Sequence, residues 1–372
     1  MALLRSYRPP VNRPPPSGPH TGLCLTGGGV TGAMYEVGCL AALEDAFEGF
    51  FACDFDVFVG SGAGATVAMA LAGGLRASRL YRALLDPADD FFPLRRQHLL
   101  QFDSAEWRRV GQTLLGAGRR ALASVVSRPL ETDLWNEMER FVDSMPAGLF
   151  GVEPYQRFIE EFMARRDIPA RFSELPRPLA LVAQDLDAGQ RTVFAADAVD
   201  VPVSQAIAAS SAIPALYAPM RIGERDYVDG GVGELAHVDV AVKRGAEAVL
   251  VINPMVPIQS EVHARDIPTG HGPMKRLRDK GMLWVYHQSA RMGAGQMLAR
   301  GLERYRAEHP DLAVQLLEPE RFDATLFMHS PMNFAARRAI LTHAYTTTRA
   351  ELRKAESGLR GIIAKRGFTA SA

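Results

Sequence analysis

The chain has 372 residues, 47% hydrophobic and 23% charged, with 42 basic residues balancing 42 acidic ones. That is enough apolar material for one large α/β domain with insertions or for two ordinary domains. The balanced charge offers no global field for nucleic acid or an acidic partner, and no run approaches the roughly 18–20 apolar residues of a bilayer-spanning helix.

Met1 to Thr21 carries six prolines with Arg5, Arg8 and Arg13 but no apolar stretch. Residues 1–20 therefore read as a Pro-rich disordered tail, not a secretory signal. Gly22 to Thr26 is a short strand, Gly27-Gly-Gly-Val-Thr-Gly32 a glycine loop, and Ala33 to Phe47 an amphipathic helix with Met34, Val37, Leu40, Ala41 and Leu43 on its apolar side. Cys24, Cys39 and Cys53 are the only cysteines. Their number and spacing fit neither a closed disulfide set nor a metal site, so they read as core hydrophobes in a reducing, cytoplasmic setting. Phe55 to Val59 is the next strand and Ala65 to Leu75 the next helix. A β-loop-α order repeated in this way predicts a parallel sheet with right-handed crossovers.

From residue 76 to 176 the pattern turns helical, with aromatics and arginines interleaved at Phe91-Phe92, Trp107 to Arg109, Trp135 and Tyr155 to Phe162. It is expected to form a helical lid. Arg177 to Gln184 returns to a strand, with Arg191 to Ala195 as a neighbour, and Val203 to Ser211 is a helix ended by Ile213-Pro214. Asp226 to Val232 is a strand end and turn, Val238 to Arg244 a helix, and Ala248 to Asn253 a buried strand. Residues 257–330 form a second insertion holding a long helix, Met282 to Glu308, led by Lys275, Arg276, Arg278 and Lys280; residues 331–372 hold a C-terminal helix, Asn333 to Arg360. That basic cluster fits either a solvated helix start or contact with an anionic lipid surface.

Two small-residue turns carry the chemistry. Gly60-Ser-Gly-Ala-Gly64 sits between a strand and a helix, the layout of a nucleophile elbow. In its G-x-S-x-G frame the nucleophile position is Gly62, and the hydroxyl of Ser61 comes one residue early. Gly27, Gly29 and Gly32 satisfy G-x-G-x-x-G, which admits a dinucleotide site. The second strand ends in Val59-Gly60, however, without the acid that would grip a ribose. The other use of the loop is an oxyanion hole, since backbone N–H groups at a helix N-terminus converge on one oxygen; Gly32 and Gly64 would in either case permit close helix–strand packing. Asp229-Gly230-Gly231 places a carboxylate on a turn after a strand, where it can act as general base for a nearby hydroxyl. Asp185 and Asp187 fit a turn or a cleft wall, His237 fits a surface or capping residue, and His287 and His329 lie in the second insertion without a named partner.

With Ala209-Ser-Ser-Ala-Ile-Pro214 and Val251-Ile-Asn-Pro254, these motifs stand in an order that resembles the patatin-like phospholipases. The resemblance covers residues 21–75 and 177–256. It implies a three-layer α/β/α fold with a mainly parallel central sheet and a lipid acyl hydrolase working by a Ser-Asp dyad. It also implies a lipid or fatty-acyl ester substrate, and neither metal nor cofactor. Asp229 would be the dyad acid, and the backbone of Gly28, Gly29 and Val30 the oxyanion donors. The family serine falls on Gly62, and a basic residue common in the loop falls on Thr31. Three readings stay open: a hydrolase using Ser61, a non-catalytic relative that binds an acyl ligand or a partner, and a dinucleotide enzyme. The chain is expected in the cytoplasm, with peripheral membrane contact open. Glycine fits the strained elbow conformation, which costs other residues about 1–3 kcal/mol.

Overall fold

The computed structural model describes residues 18–86, 88–102, 107–108, 110–112, 115–116, 143, 145–232, 236–259, 267–269, 272–274, 276–320, 332–354, 358–364, 366 and 368–369. Most of the expected tail, with Arg109, Trp135, Lys275 and His329, lies outside these residues.

The strands are β1 (Thr21–Leu25), β2 (Val57–Gly60), β3 (Gly148–Phe150), β4 (Leu179–Asp185), β5 (Gln190–Phe194), β6 (Ala215–Tyr217), β7 (Met220–Ile222), β8 (Arg225–Asp229), β9 (Ala248–Ile252), β10 (Ile267–Thr269), β11 (Gly272–Met274) and β12 (Ala313–Leu317). The helices are α1 (Gly29–Ala46), α2 (Ala63–Ala72), α3 (Ala77–Leu85), α4 (Arg96–Leu99), α5 (Glu153–Arg165), α6 (Val203–Ser210), α7 (Val238–Val242), α8 (Met282–Glu308), α9 (Arg337–Arg353) and α10 (Gly358–Ala364).

An eight-stranded sheet runs β12-β9-β1-β2-β4-β8-β7, with β5 also on β4. The first five of these strands are mutually parallel, while β5, β8 and β7 add antiparallel pairs. Side-chain alternation of period two divides the core into two layers. Leu23, Leu25, Phe58, Leu181 and Leu250 face one set of helices, α1 to α3, α5, α6, α9 and α10. Cys24, Val57, Val59, Val182 and Val249 face α7 and α8. The fold is therefore three-layer α/β/α with a mainly parallel centre.

The register of β4 explains how the site comes together. β2 pairs with Leu179 to Leu181 and β8 with Ala183 to Asp185. β5 takes the opposite edge of β4, because it shares Leu181 with β2 and Ala183 with β8. So β2 runs up one edge and β8 runs down the same edge toward it. Gly60 stands opposite Leu181 and Asp229 opposite Ala183, two residues further along. The ends of two strands remote in sequence thus meet head-on.

Several elements differ from the sequence reading. α1 begins at Gly29, inside the glycine loop, and is buried around most of its circumference, Glu36 and Gly38 included. It is wrapped by α2, α3 and α9, so a period-3.6 stripe understates its burial. The space expected for a helical lid includes β3, which pairs with β6. β12 joins the sheet edge from within the second insertion. The C-terminal helix is two helices, because Lys354 turns extended after α9. α8 has the expected bounds, and its Ala294, Leu298 and Leu302 pack on the sheet. The three cysteines are buried and free. Among the described residues no helix is long and apolar enough to cross a membrane.

Candidate functional site

The elbow is built by strand alternation followed by one abrupt turn. Val57, Val59 and then Ser61 point toward the α7 and α8 side, while Phe58 and Gly60 point toward α2. A Cβ at Gly60 would lie 2.7 Å from Ala65 Cα in α2, and a Cβ at Gly230 would lie 3.1 Å from Ser61 Cβ. Ser61 is thus turned under Gly230. It is fully buried, its hydroxyl has no hydrogen-bond partner among the described residues, and it lines neither cavity described below.

Gly62 follows at φ 56° and ψ −136°, a conformation that an L side chain adopts only under strain. A Cβ there would lie 3.0 Å from Asp229 Oδ2 and 3.5 Å from Oδ1. Position 62, not 61, faces the carboxylate. Its backbone is clamped by α6: Gly62 N–H donates to Ser210 O at 3.0 Å and to Ser210 Oγ at 3.1 Å, and Ser211 Oγ donates to Gly62 O at 3.1 Å. Ser210 Oγ in turn donates to Val182 O at 2.5 Å. The Ala209 to Pro214 block is therefore the support of the elbow, a role its sequence did not disclose.

Asp229 ends β8. Its N–H donates to Ala212 O at 3.0 Å, and Gly231 N–H donates to its Oδ1 at 2.7 Å. The carboxyl is half-buried between two cavities. Desolvation pushes its pKa up to about 7, opposed by the Gly231 hydrogen bond. At that value it can both hold and accept a proton near neutrality.

The glycine loop lies across from it. Gly27, Gly28 and Gly29 have φ of 82°, 103° and 69°. Among the described residues no acceptor takes the N–H groups of Gly28, Gly29 or Val30, as expected for the first donors of a helix. Gly32 packs against Gly27 O, and a Cβ at Gly64 would lie 2.7 Å from Leu25 O, so both serve close packing. Beneath the loop sits Glu36, which the sequence reading missed. Its Oε1 accepts from Gly27 N–H at 2.9 Å and lies 2.9 Å from the position of a Gly64 Cβ. Complete burial raises its pKa well above the ordinary carboxylate range, opposed by the backbone hydrogen bonds from Gly27 and Thr26. One acidic residue inside an otherwise apolar helix, Met34 to Leu43, was the available signal.

Two cavities share Gly29, Ile213 and Asp229 as walls. The first, about 750 Å³, is apolar, lined by Met34, Val67, Leu84, Phe92 and Leu99 among others. Its buried Tyr155 hydroxyl is paired with Thr66 Oγ1 at 2.6 Å. The second, about 960 Å³, is walled by Gly28, Met255 and the N-terminal half of α8, including Tyr286, His287 and Arg291.

The sequence model of the patatin-like phospholipase family matches residues 23–242, more than half of the chain. The chain belongs to that family. Among solved structures, the patatin-like chain is similar to VipD from Legionella pneumophila at 15% identity, covering 91% of this chain and 67% of that one, TM-score 0.36. It is similar to ExoU from the type III secretion system of Pseudomonas aeruginosa, solved with SpcU, at 16% identity with 91% and 53% coverage, TM-score 0.34. It is also similar to human GIVD cytosolic phospholipase A2 at 11% identity with 93% and 63% coverage, TM-score 0.34. The chain thus spans between about half and two thirds of the length of these relatives.

Within this patatin-like site the other candidates sort by contact. His237 stands at the N-cap position of α7, without a side-chain cap bond, and is buried where a surface place was the other expectation: Nε2–H donates to Gly230 O at 3.2 Å, and Nδ1 lies 3.5 Å from Arg191 Nη1. Desolvation, with the Arg191 charge second, lowers its pKa to about 4, so it is neutral and braces the turn after Asp229. Asp185 is a turn residue, accepting from Asp187 and Ala188 N–H and pairing with Arg225 at 2.7 Å. His287 lines the second cavity. Asp56, at the opposite end of β2, accepts from Thr21 N–H at 2.8 Å and pairs with Arg366 at 3.2 Å. It belongs to the frame, away from the glycine turns.

Proposed function

We propose that this chain is a patatin-like lipid-binding protein that holds a fatty-acyl ester without cleaving it through a Ser-Asp dyad. One observation carries the reading: the side-chain position that faces Asp229 is occupied by glycine, while Ser61 points to the other face of the sheet. Among the described residues the Ser61 hydroxyl meets no base, and it lines neither cavity.

The binding half of the machinery supports retention of an acyl ligand. The first cavity offers apolar walls for a chain, with burial of each methylene worth about 0.8 kcal/mol. Among the described residues no acceptor takes the N–H groups of Gly28, Gly29 and Val30, which could hold the ester carbonyl oxygen, so the carbonyl would sit at the shared wall with its alcohol portion in the second cavity. Asp229 would then face the carbonyl with no nucleophile between.

The test is direct binding of long-chain acyl lipids by calorimetry, with the lipid recovered afterwards and analysed by mass spectrometry. Stoichiometric binding with intact lipid, weakened by filling the cavity in Val67→Phe, is the expected result. Cleavage of the lipid by the unaltered chain, abolished in Ser61→Ala, would overturn the reading and reinstate a hydrolase that uses Ser61.

A further inference from the structure

The mostly apolar wall of the first cavity is interrupted by a group of hydroxyls. Ala63, Thr66, Val67 and Ala70 recur on α2 at the spacing of one helix face and line the cavity together. Thr66 stands four residues past Gly62, about 6 Å along the helix axis. Its Oγ1 lies 2.6 Å from the hydroxyl of Tyr155, in the first turn of α5. Tyr217, at the end of β6, lines the same cavity and is 4% exposed. Burial pushes the Tyr155 pKa up to about 12, opposed by the Thr66 hydrogen bond. Burial raises that of Tyr217 as well, with the neighbouring Tyr155 as second cause. All three hydroxyls therefore keep their hydrogens at neutral pH. A pair of hydroxyls owns two hydrogens and shares one, so the Thr66–Tyr155 pair retains one to donate. Among the described residues no acceptor takes that hydrogen or the one on Tyr217.

We propose that the first cavity selects acyl chains carrying an oxygen near the ester, such as a 3-hydroxyacyl group, with Thr66, Tyr155 and Tyr217 as the residues that recognise it. The inference rests on the acyl-ester reading above and adds the kind of chain that is held. An ester carbonyl at the wall shared by Gly29, Ile213 and Asp229 lies beside the start of α2. A chain laid along α2 from there meets Thr66 and its partner within its first few carbons. An oxygen at that point accepts the spare hydrogens, and a hydroxyl can also donate back to a tyrosine oxygen. An unsubstituted chain buries the same donors against methylenes, which forfeits their hydrogen bonds with water. A hydroxyl at the far end of the chain gains nothing from these groups, because the walls beyond them, Leu84 and Leu99 among others, are apolar.

The experiment titrates three esters of one chain length into the full chain by calorimetry, below their solubility limits. They are methyl dodecanoate, each enantiomer of methyl 3-hydroxydodecanoate, and methyl 12-hydroxydodecanoate. One 3-hydroxy enantiomer is expected to bind about fivefold more tightly than the plain ester, the ratio that one net hydrogen bond supplies. The 12-hydroxy ester should bind more weakly than the plain one, since its hydroxyl is desolvated without a partner. Tyr217→Phe and the isosteric Thr66→Val should each lower the 3-hydroxy preference, and the double variant should abolish it. If the variants do not fold, the comparison of esters on the unaltered chain still decides. No gain for either 3-hydroxy enantiomer over the plain ester would overturn the proposal and leave acyl binding standing. An equal gain for the 12-hydroxy ester, or a preference unchanged in the folded double variant, would overturn it too. Failure of all the esters to bind would instead sink the acyl-ester reading.

Discussion

Replacing Gly62 by serine puts a hydroxyl into the one position that faces the carboxylate. The new Cβ would lie 3.0 Å from Asp229 Oδ2, so the carboxyl must yield by a few tenths of an ångström. The introduced Oγ, one bond further out, then lies within ordinary O–H···O range of about 2.5–3.0 Å. The backbone stays at φ 56°, which costs a non-glycine residue about 1–3 kcal/mol, and the melting temperature should fall by several degrees. In return the variant acquires the missing nucleophile, whose loss in a serine hydrolase costs on the order of 10⁶ in turnover. Misplacement by about 1 Å would forfeit around 100-fold of that. Gly62→Ser should therefore hydrolyse p-nitrophenyl esters on the order of 10⁴-fold or more above the unaltered chain. A fluorophosphonate probe should label it once, at the introduced residue. A folded Gly62→Ser protein without this gain would refute the placement of the elbow. A gain that survives the further change Asp229→Asn would refute the assignment of the base.

Ser61→Ala removes a buried hydroxyl that has no partner among the described residues, so urea unfolding should show unchanged or slightly raised stability, by up to about 1 kcal/mol, with lipid binding unaffected. Asp229 has a folded pKa of about 7, above its unfolded value, so its contribution to stability is present below about pH 4 and lost as pH rises through 7. Asp229→Asn should remove that loss, and denaturation curves from pH 4 to 8 should show the variant gaining on the unaltered chain by about 4 kcal/mol at most. Glu36→Gln keeps an oxygen to accept from Gly27 N–H and should cost less than Glu36→Ala, which leaves that N–H unmet and should cost about 2–4 kcal/mol in urea. Arg366→Gln leaves the buried Asp56 carboxylate without its ion-pair partner, though still held by Thr21, and should cost about 3–5 kcal/mol by the same measurement.

The sequence by itself determined the parts that depend on local chemistry. Alternation and short apolar runs placed β1, β2, β4 and β9, because a buried strand admits little else. The two glycine turns and Asp229-Gly230-Gly231 were visible because each needs a small residue or a carboxylate at a fixed point in the chain. The same frame showed that position 62 lacks a side chain. Glu36 drew no reading, and His237 read as a surface or capping residue, because burial of a polar group depends on what packs around it.

Only the tertiary structure decided how those parts meet. No periodicity reveals that β8 descends the same edge of β4 that β2 climbs, yet that register is what sets Asp229 against residue 62. Nor does local sequence say which face Ser61 takes. The answer follows from counting pleats along β2 to the turn, and one residue decides between the cavity and the opposite layer. The second cavity is likewise a product of assembly, since α8 reaches the glycine loop from more than 250 residues away along the chain. Strand pairing and helix packing are non-local, and a site made where they cross is settled by the fold as a whole.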